Sequence, residues 1–186
     1  MLPLALLFAV AAFGQSSFWD AKPPKDWSEE ELGRILANSP WAREEGFLAS
    51  AKIMQDAEDE WRRRHISKRT EQPEPAENDY AEFVKNNPGK HVILAVRIEA
   101  YNDFLKAEET REMEKSCVLK AGKQKLRLVG HFPPSSADPY LRLVFPRPAT
   151  VEKNLRFELY LPGVSKPYRE LEFYGKEMTV KGALQY

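Results

Sequence analysis

The sequence predicts a mainly β protein whose C-terminal domain is an antiparallel sandwich and whose N-terminal part is helical. Two observations lead to this fold class. Short stretches of alternating apolar and polar residues recur in the C-terminal half, separated by turns that contain Pro or Gly. In the N-terminal half, apolar residues instead recur at helical spacing. An α+β fold is the alternative, because a helix predicted around Phe104 conflicts with a pure sandwich.

The first 14 residues have the pattern of a secretory signal peptide. Residues 1–13 form an apolar run without a charged side chain, shorter than the roughly 20 residues that span a bilayer. Ala12 and Gly14 supply the small residues of a signal peptidase site, which favours a mature N-terminus at Gln15, and a cut nearer Ala11 or Ala12 is the alternative. We expect an exported protein, periplasmic or secreted, that is not an integral membrane protein once processed. A buried N-terminal strand or helix is the alternative for this segment.

Residues 15–68 are predicted to form an N-terminal helical segment. Ser28 and Glu31 have the spacing of a capping box, in which each side chain binds a backbone N–H of the other residue. Trp27 precedes the cap, at the position from which it can pack on Leu32 one turn into the helix. A helix of about ten residues is not stable alone in water, so we expect it to dock on the rest of the molecule.

A second helix and a linker are predicted to follow. The helix covers residues 48–66, and its acids at 58–60 precede the arginines at 62–64 by four positions each. This order favours a self-neutralised, solvent-exposed face over a polyanion-binding patch. Residues 69–79 lack large apolar side chains and are predicted to be a flexible linker rich in Pro and Glu.

Residues 80–186 are predicted to form the β-rich domain. It begins with a short helix around Phe83, and a continuous apolar run over residues 91–98 is typical of a strand buried on both faces. Alternating segments then follow around Leu119, Leu126, Leu143, Phe157, Phe173 and Val180.

Composition excludes several functional classes. The 186 residues include 28 Lys and Arg against 28 Asp and Glu, so the formal net charge is zero. A nucleic-acid binder would usually be clearly basic, and we therefore predict no nucleic-acid partner. A single cysteine, Cys117, rules out an intramolecular disulfide framework and a multi-cysteine zinc site. We expect Cys117 to behave as a small buried hydrophobic residue.

Several short motifs stand near the two ends of the chain. They are Phe18-Trp19, Lys22-Pro23-Pro24, Trp27, Ser39-Pro40-Trp41-Ala42, Leu143-Val144-Phe145-Pro146-Arg147 and Tyr174-Gly175-Lys176. Together with the signal peptide and the capped helix, they resemble a family of uncharacterised exported bacterial proteins of the acidobacterial type. The resemblance implies export, but it carries no activity and no catalytic residue that could be transferred to this chain.

The sequence contains no pattern typical of a catalytic or metal site. No two of His65, His91 and His131 lie at the spacing of a helical metal site, and phosphate-binding glycine loops are missing. We therefore predict no catalytic residue, no metal and no cofactor. An envelope hydrolase that uses loop carboxylates or His131 as acid or base is the alternative function.

Trp19, Trp27 and Trp41 are the candidate binding residues. Clustered around a capped helix, they would form either a platform for a glycan or peptide, or a clamp that holds the helix on the β domain. We favour the clamp, because large aromatic side chains dominate core burial. The predicted function is an exported, non-catalytic, β-rich envelope protein, a structural or interaction module whose partner is an unknown envelope protein or glycan. Strand addition at a sheet edge is one way in which it would bind.

Overall fold

A computed structural model of the chain describes residues 17–44, 46–65, 79–98, 107–134, 139–149, 154–162, 164 and 166–186. The predicted signal peptide, the predicted helix around Phe104 and all of the predicted linker except Asp79 lie outside these residues.

Most of the helices that the structure describes lie in the N-terminal half. They are α1 (Phe18–Ala21), a 3₁₀ turn (Pro24–Asp26), α2 (Glu29–Ala37), α3 (Lys52–His65), α4 (Asp79–Asn86) and, after the first long strand, α5 (Ala107–Ser116). The capping box that starts α2 is formed as predicted. Ser28 Oγ accepts from the backbone N–H of Glu31 at 3.1 Å, and Glu31 Oε2 accepts from the backbone N–H of Ser28 at 2.9 Å.

The strands form two larger antiparallel sheets and one hairpin. They are β1 (Ala42–Arg43), β2 (Gly46–Leu48), β3 (His91–Arg97), β4 (Val118–Ala121), β5 (Gln124–Arg127), β6 (Gly130–Phe132), β7 (Tyr140–Pro146), β8 (Asn154–Tyr160), β9 (Tyr168–Tyr174), β10 (Thr179–Val180) and β11 (Ala183–Leu184). A five-stranded sheet has the order β1-β2-β3-β7-β6, and a four-stranded sheet has the order β5-β4-β8-β9. Strands β10 and β11 pair only with each other in the described structure.

The core lies between the two larger sheets. Phe145 of β7 packs edge to face on Phe157 of β8, with ring centroids 5.4 Å apart. Phe157 packs in turn on Phe173 of β9 at 5.8 Å. All three rings are fully buried. Alternate residues of β7 face this core, as the period of two predicts.

The opposite face of the five-stranded sheet is covered by helices. Arg142 follows Leu141 on β7 and therefore points away from the inter-sheet core. It donates to both carboxylate oxygens of Glu58 on α3, at 2.7 and 3.2 Å. Its guanidinium carbon also lies 4.2 Å from the ring centroid of Tyr80 on α4. Arg142 thus connects the sheet to both helices.

The two larger sheets are connected at both edges. At one edge the chain passes from β5 into β6, where Leu128 N donates to Cys117 O and Val129 N donates to Val144 O. At the other edge Arg43 Nε donates to Glu172 O at 3.0 Å. Gly46 lies close to this second edge, and a Cβ there would stand 2.6 Å from Ala95 O, so only glycine fits.

The predicted fold class is confirmed. The sheets are antiparallel, and helix and strand account for 34% and 35% of the structure, so the α+β alternative describes it as well as the mainly β one. The description of residues 15–68 as helical needs a correction. They also contain β1 and β2, and β2 pairs with β3, because the apolar segment Phe47-Leu48 completes the buried face of the five-stranded sheet.

Candidate functional site

The described residues show where the predicted hydrolase groups lie. His131 is the middle residue of β6, and its Nδ1 is 3.7 Å from Glu114 Oε1 on α5. Burial lowers the pKa of His131, although Glu114 opposes the shift. Among the residues that the structure describes, no three His, Cys, Asp or Glu side chains are grouped so that they could hold a metal ion. The hydrolase alternative remains a prediction.

Cys117 is buried, as expected. Its Sγ lies 3.5 Å from Tyr160 O and 3.4 Å from Tyr160 N on β8. Burial raises the pKa of the Cys117 thiol to about 11, so the thiolate is disfavoured at neutral pH. These contacts indicate that Cys117 is a buried packing residue.

Trp41 and Trp27 lie in the core, one on each side of α2 along the chain. Trp41 is fully buried and its Nε1 donates to Gln185 O at 2.8 Å, which joins the first strand to the C-terminus. Trp27 is 3% exposed. Trp19, which is half-buried, packs edge to face on Trp41 with centroids 5.6 Å apart. A stacking platform needs exposed ring faces, and this burial favours the clamp.

Two of the three tryptophans also line a groove on the surface. The tryptophan groove is a cavity of about 480 Å³ bounded by the segment from Trp19 to Trp27, the start of α3 and the end of the β10–β11 hairpin. Besides the tryptophans, the charged and polar residues that line it are Asp20, Lys22, Lys52, Asp56, Lys181 and Gln185.

The sequence explains how the first wall of the groove is built. Pro23 and Pro24 restrict the backbone to extended and first-turn conformations, so the chain cannot continue α1 and turns through the 3₁₀ segment into the Ser28 cap. Lys22 lies on this wall, and its Nζ is 2.6 Å from Glu31 Oε1. The Lys22 ammonium and the Ser28 N–H together lower the pKa of Glu31.

The opposite wall is a two-residue hairpin turn. Lys181 and Gly182 both have positive φ, 49° and 76°, which is the type I′ geometry that matches the twist of paired strands. Asp20 Oδ1 accepts from the backbone N–H of Lys181 at 2.7 Å and holds the hairpin against α1. A lysine at positive φ has a strained backbone, which lowers the stability of the folded protein. The lysine side chain at this turn lies at the edge of the groove.

Three buried polar atoms along the groove have no hydrogen-bond partner among the described residues. They are the indole Nε1 of Trp19, the indole Nε1 of Trp27 and the side-chain Oε1 of Gln185. A buried donor or acceptor left unpaired costs about 1–3 kcal/mol, and native structures rarely leave one so. With two donors and one acceptor of this kind, the groove is a candidate binding site.

A larger groove elsewhere has a different character. It has a volume of about 610 Å³ and lies between the end of α2, β1, β2 and the residues Arg97 and Tyr140. Its Arg43 donates to the carbonyls of Ser39, Ala42 and Glu172 and stacks on Phe173. None of the unpartnered buried atoms found in the described part of the chain belongs to its lining. Arg43 in this groove links the two sheets through its hydrogen bond to Glu172 O.

Sequence reasoning missed the lysines and Gln185 of the tryptophan groove. Lys52 and Lys181 are far apart in the chain and meet only when the C-terminal hairpin packs beside α3. One signal was present, since Val180-Lys181-Gly182-Ala183 has the residue pattern of a short hairpin. Nothing in the local sequence around Gln185 indicates that its backbone carbonyl binds Trp41.

Comparisons with known proteins give no match to this chain, whether by family model, by curated sequence or by solved structure. The resemblance to exported bacterial proteins thus remains a prediction. None of the helices in the described ranges combines the length and the hydropathy needed to cross a bilayer.

Proposed function

We propose that the protein is exported and acts as a non-catalytic interaction module of the bacterial cell envelope, with the tryptophan groove as its binding site. The observation that supports this proposal most directly is the set of unpartnered buried atoms, Trp19 Nε1, Trp27 Nε1 and Gln185 Oε1, along one cavity. A bound molecule would satisfy these atoms, and the resulting hydrogen bonds would provide specificity.

The surrounding structure suits a preformed site. Trp41 is fixed by its bond to Gln185 O, and Trp19 is fixed by its edge-to-face contact with Trp41. The Lys181 N–H to Asp20 bond holds the two walls together. These contacts hold the walls of the groove in place without a ligand.

Export is tested by expressing the full chain in a bacterium with a periplasm and measuring the intact mass of the protein in each fraction. We expect a periplasmic product that begins at Gln15 and lacks the first 14 residues. Uncleaved protein confined to the cytoplasm would contradict the export half of the proposal.

Binding is tested by calorimetric titration of the purified protein with soluble peptidoglycan fragments, chitotetraose and short synthetic peptides. We expect one of these probes to bind the wild type and to bind Trp19→Phe at least tenfold more weakly, since phenylalanine keeps a ring but removes the N–H. Trp61→Phe is the matched control, because Trp61 is 43% exposed on α3 and lies outside the groove.

The same titrations distinguish binding from hydrolysis. Recovery of the probe unchanged after a long incubation is the expected result. Conversion of the probe to products, abolished by His131→Asn, would support the hydrolase alternative instead. Equal binding by the Trp19 variant and the wild type would show that the groove is not the site.

A further inference from the structure

The hydrogen-bonding capacity of the tryptophan groove indicates the chemistry of its ligand. Two of its three unpartnered buried atoms, the Trp19 and Trp27 indole nitrogens, are donors, and the third, Gln185 Oε1, is an acceptor. An indole N–H donates only, so each needs an acceptor from the ligand. The amide oxygen of Gln185 needs a donor. The ligand must therefore carry acceptors and at least one N–H or O–H group.

The charges along the groove favour a negative ligand. Three lysines, Lys22, Lys52 and Lys181, line it against two aspartates, Asp20 and Asp56. Asp56 forms an ion pair with Lys52, and Asp20 keeps its negative charge while it accepts a hydrogen bond from the Lys181 backbone. The three lysines differ in whether a carboxylate pairs with their ammonium group.

Of the three lysines that line the groove, Lys181 forms no ion pair with the described residues. Lys22 pairs with Glu31 at 2.6 Å, and Lys52 pairs with Asp56. Lys181 is exposed, and the bond from its backbone N–H to Asp20 holds the turn against α1. The first turn of α3, which borders the same groove, also contains no acidic residue, so its helix dipole favours an anion there.

We propose that the ligand is an acidic polypeptide segment. This inference rests on the proposed function of the groove as a binding site. A carboxylate of the segment accepts a hydrogen bond from an indole N–H and forms an ion pair with Lys181. A main-chain N–H of the segment donates a hydrogen bond to Gln185 Oε1. The rings of Trp19 and Trp27, with Ile53 and Val180, contact the apolar part of the same segment. A polypeptide supplies the acceptors, the donor and the negative charge in one molecule, whereas a neutral glycan lacks the charge and inorganic phosphate lacks the apolar part.

The turn at Lys181 allows a test that removes the charge without harming the fold. Lys181 has φ of 49°, a conformation in which asparagine is more favourable than lysine. Lys181→Asn keeps the backbone N–H that binds Asp20, so the groove retains its shape while the ammonium group is lost. We expect a melting temperature equal to or above that of the wild type, which separates an effect on binding from an effect on folding.

The experiment compares two blocked tetrapeptides, tetraglutamate and tetraglutamine, in calorimetric titrations of the full protein. We expect tetraglutamate to bind and tetraglutamine to bind at least tenfold more weakly. Binding of tetraglutamate should weaken about fivefold in Lys181→Asn, and also when NaCl is raised from 0.05 to 0.5 M, as expected for an exposed charge pair. Trp61→Phe should bind tetraglutamate as the wild type does.

The outcomes separate this inference from the proposed function. If chitotetraose or tetraglutamine binds in a manner that depends on Trp19 and tetraglutamate does not, the groove is a binding site but its ligand is not an acidic polypeptide. Binding of tetraglutamate that Lys181→Asn and Trp19→Phe leave unchanged would overturn the inference, because the peptide would then bind elsewhere. If inorganic phosphate competes fully with tetraglutamate, the site recognises an anion alone and the polypeptide inference also fails.

Discussion

Ser28 shows how one residue can determine where an element starts. Its hydroxyl accepts from the Glu31 N–H, and the Glu31 carboxylate accepts from the Ser28 N–H, so two donors at the N-terminus of α2 are satisfied. Glu31 is held in this position by Lys22 as well, which connects the cap to the wall of the tryptophan groove. The geometry of the groove thus depends in part on a local motif.

Ser28→Ala should destabilise the protein by about 1 kcal/mol, because it leaves the Glu31 N–H without its acceptor. The measurement is the free energy of unfolding from a urea titration. Ser17→Ala is the matched control, since Ser17 precedes α1 without a side-chain capping bond, and its cost should be close to zero. Equal effects of the two substitutions would mean that the capping bond contributes nothing to stability.

At the scale of single elements, α3 is fixed by a buried carboxylate. Glu60 is 7% exposed, and its oxygens accept from Arg64 Nε at 2.6 Å and Arg63 Nε at 2.8 Å. Arg64 also donates to Trp27 O and to Glu29, so the pair ties α3 to the start of α2. The hydrogen bond from Arg63, followed by that from Arg64, lowers the pKa of Glu60 to about 2.

This shift predicts a stability loss in acid. The folded protein lowers the pKa of Glu60 from 4.5 to about 2, so the stabilisation is fully present above pH 4.5 and disappears as the pH falls towards 2. The difference in unfolding free energy between the wild type and Glu60→Gln should therefore shrink over this range. Ser17→Ala, which leaves every carboxyl group unchanged, should run parallel to the wild type. A constant difference for Glu60→Gln would contradict the assignment.

Strand β7 and helix α3 are joined by the pair of Arg142 and Glu58. Arg142 is 1% exposed and forms two hydrogen bonds with Glu58, and its guanidinium also stacks on Tyr80 of α4. Burial is the main reason that the pKa of Tyr80 rises to about 12. A charge pair at this position requires α3 and α4 to dock in one orientation on the sheet.

Arg142→Met should cost about 3 kcal/mol, because it leaves the Glu58 carboxylate largely buried without its main cation. The double variant Arg142→Met with Glu58→Leu should lose much less than the sum of the two single variants, since neither charge is then left unpaired. Urea unfolding of all four proteins gives the coupling energy. Additive losses would show that the pair does not act as a unit.

At the scale of the whole molecule, the C-terminal residues close the structure onto its N-terminal half. Trp41 Nε1 binds Gln185 O, and Arg147 Nη1 donates to Tyr186 O while its guanidinium stacks on the Tyr186 ring, with Cζ 4.1 Å from the ring centroid. Asp20 binds the Lys181 N–H across the groove. The bonds of Trp41 and Asp20 each join residues more than a hundred positions apart, whereas Arg147 and Tyr186 are 39 positions apart.

Trp41→Ala should destabilise the protein by about 3–5 kcal/mol, through loss of a fully buried ring and of the bond to Gln185 O. Trp61→Ala should cost less than about 1 kcal/mol, because Trp61 is 43% exposed and its ring stacks on the exposed His65. Thermal unfolding of both variants checks the contrast. A similar loss at the two positions would mean that Trp41 does not join the two ends of the chain.

Much of the fold was predictable because its signals are local. The capping box at Ser28, the apolar run of β3 and the period of two along β7 to β9 each depend on neighbours within a few positions. The strands β1 and β2 were not predicted, because two- and three-residue strands leave no periodic pattern. For the site, Trp19 and Trp27 were candidates from the sequence, whereas Lys181 and Gln185 were not.

The sequence by itself determined the fold class, the antiparallel strands, the capped helix and the burial of Cys117, since these follow from composition and short-range patterns. Tertiary structure decided that Trp41 is fully buried and that Trp19 and Trp27 line a groove, and it brought the hairpin of β10 and β11 beside Trp19 and α3. The physical reason is that unpaired donors and unneutralised charges arise from packing between distant segments, which no local pattern of residues encodes.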